Sequence, residues 1–117
     1  MFLRQSVSIQ CAEHVSSAAG SVRGNHVHWE ATEHLFITTG EVRLHVEDVK
    51  AGRREDIHLK AGALVVMRPG IAHAIVALTE STLISIAEGA DSLIDRERHV
   101  LLPTDTSGFI IEQPRRQ

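Results

Sequence analysis

The sequence predicts an all-β domain, folded as a sandwich or a barrel. Seven or so short segments are rich in apolar residues, and glycine, proline or charged residues mark turns between most of them. Several of these segments alternate polar and apolar side chains, which is the pattern of a strand with one buried face. With 117 residues the chain has room for one domain around a single core, so we assign residues 1–117 to it.

The composition argues against several classes of function. The formal net charge is −3, so no basic excess is available to neutralise a run of phosphates, and we expect no nucleic-acid partner. The only cysteine, Cys11, cannot form an internal disulfide or a cysteine-rich metal site. The N-terminus lacks the apolar core of a signal peptide, and no apolar run is long enough to cross a membrane. We therefore expect a cytoplasmic protein without membrane contact.

The first elements of the chain carry little chemistry. Residues 5–10 alternate polar and apolar side chains and predict a short, half-exposed strand. The small residues of segment 11–20 indicate a loop or a single helical turn. The next strand begins at Val22.

The stretch 20–40, GSVRGNHVHWEATEHLFITTG, carries most of the predicted metal ligands. His26 and His28 are two positions apart, so in a strand both side chains point to the same side and can reach one ion. Four residues follow His28, enough for the chain to reverse and bring Glu33 back on the next strand. The same alternation turns Gly24 inward, beside the ion, and its neighbours outward, namely Arg23, Asn25 and Val27.

The next turn extends this assignment of faces. Thr39 and Gly40 predict a two-residue turn that joins strands 33–38 and 41–48 as a hairpin. If Glu33 points inward, the register of such a hairpin turns the apolar side chains of strand 41–48 inward as well. It sends His45 outward, where we expect an ordinary surface histidine, and the same alternation places His34 outside.

Four further strands should follow the exposed turn at 48–54. Residues 55–60 alternate, with Ile57 and Leu59 facing inward, and the continuous apolar run 63–67 predicts a strand that is covered on both faces. The Pro69–Gly70 turn then leads to His73, the fourth predicted ligand, on strand 71–78. A last strand is expected at 82–87.

The C-terminal part changes character after Gly89. Residues 91–100 predict one short helix, with aspartate in its first turn and arginines later, ended by Pro103. We interpret its charged residues, Asp95 among them, as a solvated face. The tail that follows contains one apolar cluster at 109–111.

Two of these stretches resemble the two motifs of the cupins, small β-barrel proteins that commonly hold one metal on three histidines and one glutamate. The first motif, G-x5-H-x-H-x4-E-x6-G, is matched at every fixed position: Gly20, His26, His28, Glu33 and Gly40. The second, G-x5-P-x-G-x2-H-x3-N, is matched at Gly62, Gly70 and His73, whereas Arg68 and Ala77 replace its proline and asparagine. The resemblance, to small single-domain cupins with a conserved barrel (cupin_2-like), implies a double-stranded β-helix, the jelly-roll barrel, with its motif core at about 20–90 and a C-terminal helix and tail at 91–117.

The ligand set His26, His28, Glu33 and His73 implies one divalent transition metal ion. Imidazole and carboxylate accept iron, manganese, nickel, cobalt, copper or zinc, so the sequence leaves the identity of the metal open. Such a set also leaves coordination positions free for a small-molecule substrate, water or O2. We assign no residue to an organic cofactor.

The predicted pocket wall guides the choice of function. Alternation lines it with aliphatic side chains, and few polar groups point at the ion: Leu35, Ile37, Val42, Leu44, Val46, Ile75 and Ala77. The sequence has no tyrosine, and Trp29 and Phe36 are expected outside, so a sugar-nucleotide isomerase or epimerase that uses acid–base side chains is the least favoured function. A metal-dependent oxygenase or lyase acting on a small, partly apolar molecule is favoured. The alternative is a non-catalytic cupin that binds a small ligand or a metal.

Two further expectations concern the mouth and the outer surface. Catalysis would centre on the metal, and Arg68, beside the Pro69–Gly70 turn, is the one candidate for an additional residue at the mouth. The outward residues Phe36, Ala74 and Val76, together with the run 63–67, make one outer surface too apolar to be left bare. We expect a homodimer to cover it, or else the ends of the chain itself.

Overall fold

In a computed structural model, residues 8–103 of the chain are described, and they form nine strands joined by turns. The strands are β1 (Ile9–Ser17), β2 (Val22–Val27), β3 (Thr32–Thr39), β4 (Glu41–Asp48), β5 (Arg53–Lys60), β6 (Leu64–Met67), β7 (Ile71–Ala77), β8 (Ser81–Glu88) and β9 (Glu97–Arg98). None of the segments in this range forms a helix of the length and apolarity that a membrane crossing requires. The tail cluster expected at 109–111 and the first part of the strand expected at 5–10 lie outside the described residues.

The strands form two antiparallel sheets that face each other. One sheet has the order β1-β8-β3-β6 and the other the order β5-β4-β7-β2-β9. Their inner faces enclose the main core: Leu35, Ile37, Val42, Leu44, Leu59, Met67, Ile75 and Leu83. The predicted all-β jelly-roll barrel is therefore confirmed.

The side chains of β3 and β4 that were predicted to face inward do so, but the prediction that the two strands form a hairpin is wrong. β3 pairs with β6 and β8, whereas β4 pairs with β5 and β7 in the other sheet. The chain crosses between the sheets at Gly40, where a side chain would collide with the carbonyl oxygen of Glu80. The alternation of inward and outward side chains continues unchanged across Gly40. Leu35 and Leu44 are therefore both buried, although their strands are not hydrogen-bonded to each other.

The face assignment on β2 needs a correction. His26 pairs with His73, and Arg23 pairs with the inward-facing Ile75, so the register shifts between Gly24 and His26. Asn25 accommodates this irregularity with a φ of 61°. As a result Arg23 points inward and Gly24 outward, the reverse of the prediction. The alternation rule failed because a bulge inserts one extra residue and exchanges the two faces of the strand before it.

The run 63–67 is not covered on both faces. Met67 is buried in the core, but the side chains of Leu64 and Val66 are 60% and 52% exposed. With the 37% exposed Phe36 of the neighbouring β3, they form part of an apolar outer face on this sheet. A continuous apolar run does not by itself distinguish a doubly buried strand from one whose outer face is available for another surface.

Both ends of the described chain differ from expectation. The segment predicted as a loop or helical turn is instead most of β1, which pairs with β8 as far as Ser17. The predicted helix at 91–100 is a single turn followed by β9. The carbonyl of Asp91 accepts hydrogen bonds from the amides of Ile94 and Asp95, after which β9 leaves to pair with the edge of β2.

We call residues 91–102 the strap, because this segment crosses the outer face of the sheet that contains β2 and β7. Leu101 packs there against Val27 and Ala74 in a second, smaller apolar cluster. The Asn25 side chain accepts hydrogen bonds from the amides of Leu101 and Leu102, at 2.9 and 3.0 Å. The chain therefore covers Ala74 itself, so this part of the surface predicted to need a partner does not need one.

Gly24 allows a test of how closely β2 approaches β7. It has a φ of 96°, and a Cβ atom there would lie 2.7 Å from the carbonyl oxygen of His73. Gly52 also has a positive φ, of 71°, but nothing lies within 4 Å of its would-be Cβ. Both alanine variants should lose about 1–2 kcal/mol to the left-handed conformation, and Gly24→Ala should lose roughly 1–3 kcal/mol more because the backbone of β7 must move. If denaturant unfolding gave equal losses of unfolding free energy for the two variants, the predicted close contact between β2 and β7 at Gly24 would be refuted.

Candidate metal centre

Three histidines meet at one end of the barrel. β2 carries His26, the residue after β2 is His28, and β7 carries His73 directly opposite His26. Their ring centroids are 4.7 to 5.4 Å apart, and one nitrogen from each ring lies within 4.8 Å of the others. His28 and His73 are buried and His26 is partly buried. These three imidazoles could hold one metal ion.

Glu33 reaches the same cluster from β3, in the opposite sheet. Its Oε1 atom lies 3.3 Å from Nε2 of His28 and 3.2 Å from Nε2 of His73. Its other oxygen accepts a hydrogen bond from the Ser85 hydroxyl on β8. Ser85 therefore orients the carboxylate so that Oε1 faces the imidazoles.

Two polar atoms at this point have no hydrogen-bond partner among the described residues. They are Nε2 of His28 and Oε1 of Glu33, both fully buried. Because an unsatisfied buried polar atom is expensive, such a pair facing one point requires an explanation. A transition metal ion satisfies both atoms at once, since imidazole nitrogen and carboxylate oxygen are ordinary ligands for it. The donor set thus fits a metal.

Burial and mutual charge set the protonation of the cluster. Burial, reinforced by the charges of His73 and Arg96, lowers the pKa of His26 to about 3, so this imidazole is neutral at ordinary pH. Burial also lowers the pKa of His73. Burial would raise the pKa of Glu33, but His28, His73 and Ser85 together lower it to about 2. The centre thus presents a carboxylate and at least two neutral imidazoles, the forms that ligate metal.

His28 is held differently from the other two. Burial would lower its pKa, but Glu33 and the main-chain carbonyl of Asp95 outweigh burial and raise it. The Nδ1 atom of His28 lies 2.5 Å from that carbonyl oxygen. An N–H group on Nδ1 must donate this bond, which leaves Nε2 unprotonated and directed at Glu33 in the neutral ring.

The pocket beside the cluster is more polar than predicted. Its apolar side is formed by Val15, Leu35, Ile75 and Leu83, and the remainder of the predicted aliphatic wall lies deeper, in the core. Its polar side contains Glu13 of β1, Arg23 of β2 and Arg96 of the strap, in addition to Ser85. The expectation that few polar groups point at the site was therefore wrong.

Sequence reasoning missed these residues for identifiable reasons. Glu13 lies in the segment expected to be a loop, and Arg23 was turned outward by ignoring the bulge. Arg96 was placed on a helix that does not form. A signal for the second case was present in the sequence, because Gly24–Asn25 is a pair that tolerates positive φ and so marks a bulge within a strand.

The other histidines and Arg68 stand apart from the pocket. His45 faces outward on β4, where it pairs with Ala74 near the end of the strap, and His34 bonds to Glu88 on the outer side at 2.6 Å. Both placements agree with the sequence analysis. Arg68 is exposed on the turn before β7 and is not among the described residues that line the pocket.

Comparison with known proteins shows the family and the fold. A family model described as the polysaccharide biosynthesis C-terminal domain matches residues 2–98. The capsular polysaccharide assembling protein CapF from Staphylococcus aureus is a similar solved structure, with 16% identity and a TM-score of 0.71 over 81% of this chain and 27% of that one. A search of curated proteins found no match.

Two other solved structures extend the likeness. A dTDP-4-dehydrorhamnose 3,5-epimerase from Sulfolobus tokodaii is 24% identical, with a TM-score of 0.68 over 78% of this chain and 58% of that one. An oxalate oxidase is 21% identical, with a TM-score of 0.61 over 67% and 41%. The chain spans less than a third of the CapF length, and at these identities the likeness shows the fold, which is that of the cupins. The match over residues 2–98 shows that the chain belongs to the polysaccharide biosynthesis C-terminal domain family.

Proposed function

We propose that this chain is a metal-binding cupin that isomerises or epimerises a small, negatively charged, oxygen-rich molecule of the sugar-nucleotide kind. The observation that carries the proposal is the composition of the pocket wall. Two guanidinium groups, from Arg23 and Arg96, and the carboxylate of Glu13 line the same cavity as the histidine cluster. A purely apolar molecule would desolvate these three charged groups without binding any of them, so their presence favours a polar, charged substrate.

Arg96 is the stronger candidate for holding the anionic part of the substrate. Guanidinium groups bind phosphate and carboxylate in a two-pronged geometry, and they keep their charge at every relevant pH. Arg23 is tied to β1 by hydrogen bonds to the Ser17 hydroxyl and the Ser16 carbonyl, so part of its role is structural. Arg96 is held by a 3.3 Å bond from Nε to the carbonyl of Ser92, close to the start of the strap.

The remaining groups divide the chemistry between them. A divalent ion held by His26, His28, Glu33 and His73 would act as a Lewis acid on a substrate oxygen. Ser85 holds the carboxylate of Glu33 in place. Because the chain contains no tyrosine, a phenol cannot move the proton, and Glu13 is the wall residue whose carboxylate can do so.

The comparisons support this direction. The family description names polysaccharide biosynthesis, and similar solved structures include a dTDP-sugar 3,5-epimerase and ChmJ, a 3'-monoepimerase determined with dTDP-quinovose. The order of preference from the sequence is thereby changed. An epimerase was disfavoured because the chain has no tyrosine and because Trp29 and Phe36 were expected outside. The charged side chains of Glu13, Arg23 and Arg96 in the pocket wall now supply acid–base and anion-binding groups that the predicted aliphatic wall lacked.

A metal-dependent oxygenase or lyase is the second candidate. It is favoured by the apolar side of the pocket, Val15, Leu35, Ile75 and Leu83, which would suit a partly apolar substrate. The likeness to an oxalate oxidase is compatible with oxygen chemistry on this fold. A non-catalytic cupin that only binds its ligand is the remaining alternative, and turnover distinguishes it from both.

The first test concerns the metal ligands. Changing His26, His28, Glu33 or His73 to alanine should lower metal occupancy at least tenfold while a folded barrel remains, because each change removes one donor from a site supported by several strands. His45→Ala is the matched control, since this histidine lies on the outer face of the barrel. Metal content by mass spectrometry and circular dichroism decide the test. Equal loss in the control would refute the assignment of the ligands.

The second test concerns the substrate. Protein stripped with a chelator is reloaded with iron(II), manganese, nickel or zinc, and each form is titrated calorimetrically with dTDP and assayed with a dTDP-4-keto-sugar, with and without O2. Arg96→Met should weaken dTDP binding about tenfold or more, because methionine keeps the bulk but loses the charge. Glu13→Gln should lower turnover while leaving binding nearly intact.

Arg43→Met is the control for that series, because Arg43 pairs with Asp56 on the outer surface. No binding of dTDP by any metal form would refute the sugar-nucleotide proposal. Turnover that depends on O2 would instead favour the oxygenase. Binding without turnover under any condition would favour the binding module.

A homodimer is proposed through the outer face of the sheet that contains β3, β6 and β8. Five apolar side chains share this face: Phe36, Leu64, Val66, Ile84 and Ile86. In a dimer with a twofold axis, this face of one copy would pack against the same face of the other, so both apolar surfaces would be buried. Val66→Glu should therefore halve the mass measured by light scattering, whereas Leu78→Glu, an exposed apolar position in a turn, should not. A monomer in the unmodified protein would contradict the proposal.

A further inference from the structure

The strap makes its closest polar contacts with the turn between the metal ligands. The carboxylate of Asp95 accepts three main-chain hydrogen bonds, from the amides of Trp29, Glu30 and Ala31, at 3.1, 2.8 and 2.7 Å. These three residues connect His28 to the start of β3, which carries Glu33. One side chain of the strap therefore ties down the whole turn between two predicted ligands.

The same residue contacts His28 with its main chain. The carbonyl oxygen of Asp95 lies 2.5 Å from Nδ1 of that imidazole. The carboxylate and the carbonyl of Asp95 thus bind two different parts of the chain. Because both groups belong to one residue, fixing the carboxylate limits the movement of the carbonyl. Outer contacts of this kind determine which ring nitrogen carries the proton and which is free to bind a metal.

Other contacts of the strap add to this attachment without replacing it. The Trp29 indole donates a 2.8 Å hydrogen bond to the Glu97 carboxylate, and β9 pairs with the end of β2. Neither contact involves the imidazole of His28. Asp91, at the beginning of the strap, accepts a hydrogen bond from the amide of Leu93 at 2.9 Å and interacts with Cys11 of β1.

From these contacts we infer that Asp95 is a positioning residue for the metal site. Its carboxylate fastens the strap to residues 29–31 and so holds its carbonyl against Nδ1 of His28, which keeps Nε2 free and aimed at the ion. Since Arg96 is the next residue, the same attachment also places the proposed anion-binding group in the pocket. The inference rests on the proposed metal site, but its first consequence, the tautomer of His28, can be measured without any metal.

The test uses three variants of the full chain: Asp95→Ala, Asp95→Asn and the control Asp91→Asn. Nitrogen-15 NMR of the metal-free proteins, titrated upward from the pH at which an ordinary histidine is neutral until the His28 signals stop shifting, reports which nitrogen of the neutral ring is protonated. The unmodified chain and Asp91→Asn should show a proton on Nδ1. Asp95→Ala should show a mixture of the two tautomers, and Asp95→Asn a smaller change, because asparagine has one acceptor oxygen in place of two.

Metal affinity is the second measurement. Titration with Co²⁺, followed by its visible absorption, and competition with Zn²⁺ should show a loss of about 10–100-fold for Asp95→Ala, less for Asp95→Asn and none for the control. The cobalt spectrum of Asp95→Ala should also change shape, which a loss of stability alone would not produce. If Asp95→Ala does not fold, Asp95→Asn carries the test.

The outcomes separate the two proposals. A folded Asp95→Asn or Asp95→Ala variant with the native tautomer and native metal affinity would overturn the positioning role while leaving the metal site intact. Failure of the unmodified chain to bind any metal would overturn the metal site, and the tautomer measured without metal would still decide the role of Asp95.

Discussion

The pairing of β2 with β7 is the contact on which the rest of the site depends. Residues 28–70 separate the end of β2 from the start of β7, and only the antiparallel pairing of these strands places His26 opposite His73. The pairing requires Gly24, because any side chain there would meet the carbonyl of His73. The bulge that follows, at Asn25, turns Arg23 into the pocket and directs the Asn25 side chain toward the strap, to which it is hydrogen-bonded. The bulge in β2 therefore affects the histidine cluster, the pocket wall and the packing of the strap at the same time.

The site also depends on polar groups whose burial the rest of the fold must support. Glu33 is buried with its pKa lowered to about 2, so the carboxylate stays charged inside the barrel. Its charge is stabilised by His28, His73 and Ser85, which come from both sheets. The apolar core beneath the pocket includes Ile37, Val42 and Leu44. The apolar core therefore supplies the stability of the barrel, which allows the histidine cluster to contain buried polar atoms without hydrogen-bond partners.

The strap connects the outside of the barrel to this inner site. Leu101 covers β2 and β7 from outside, and Asp95 reaches over the edge of the barrel to the turn at 29–31. Arg96 then enters the pocket. The strap supplies outer packing, a hydrogen bond to His28 and a charged residue of the pocket wall. The histidine cluster is therefore coupled to residues that lie far from it in the sequence.

The sequence by itself determined the strands β2 to β8, the inner faces of β3, β4 and β7, and the four residues of the candidate metal centre. It could do so because strand alternation is a local property, and because the spacing of His26, His28 and Glu33 lies within one turn and two strands. Tertiary structure alone decided the pairing of β3 and β4 with other strands, the inward turn of Arg23 and the course of the strap. These features depend on contacts between distant segments. In particular, the charged residues of 91–98 form a strap and not a helix because Asp95 and β9 find main-chain partners in and beside β2, which local helix signals cannot represent.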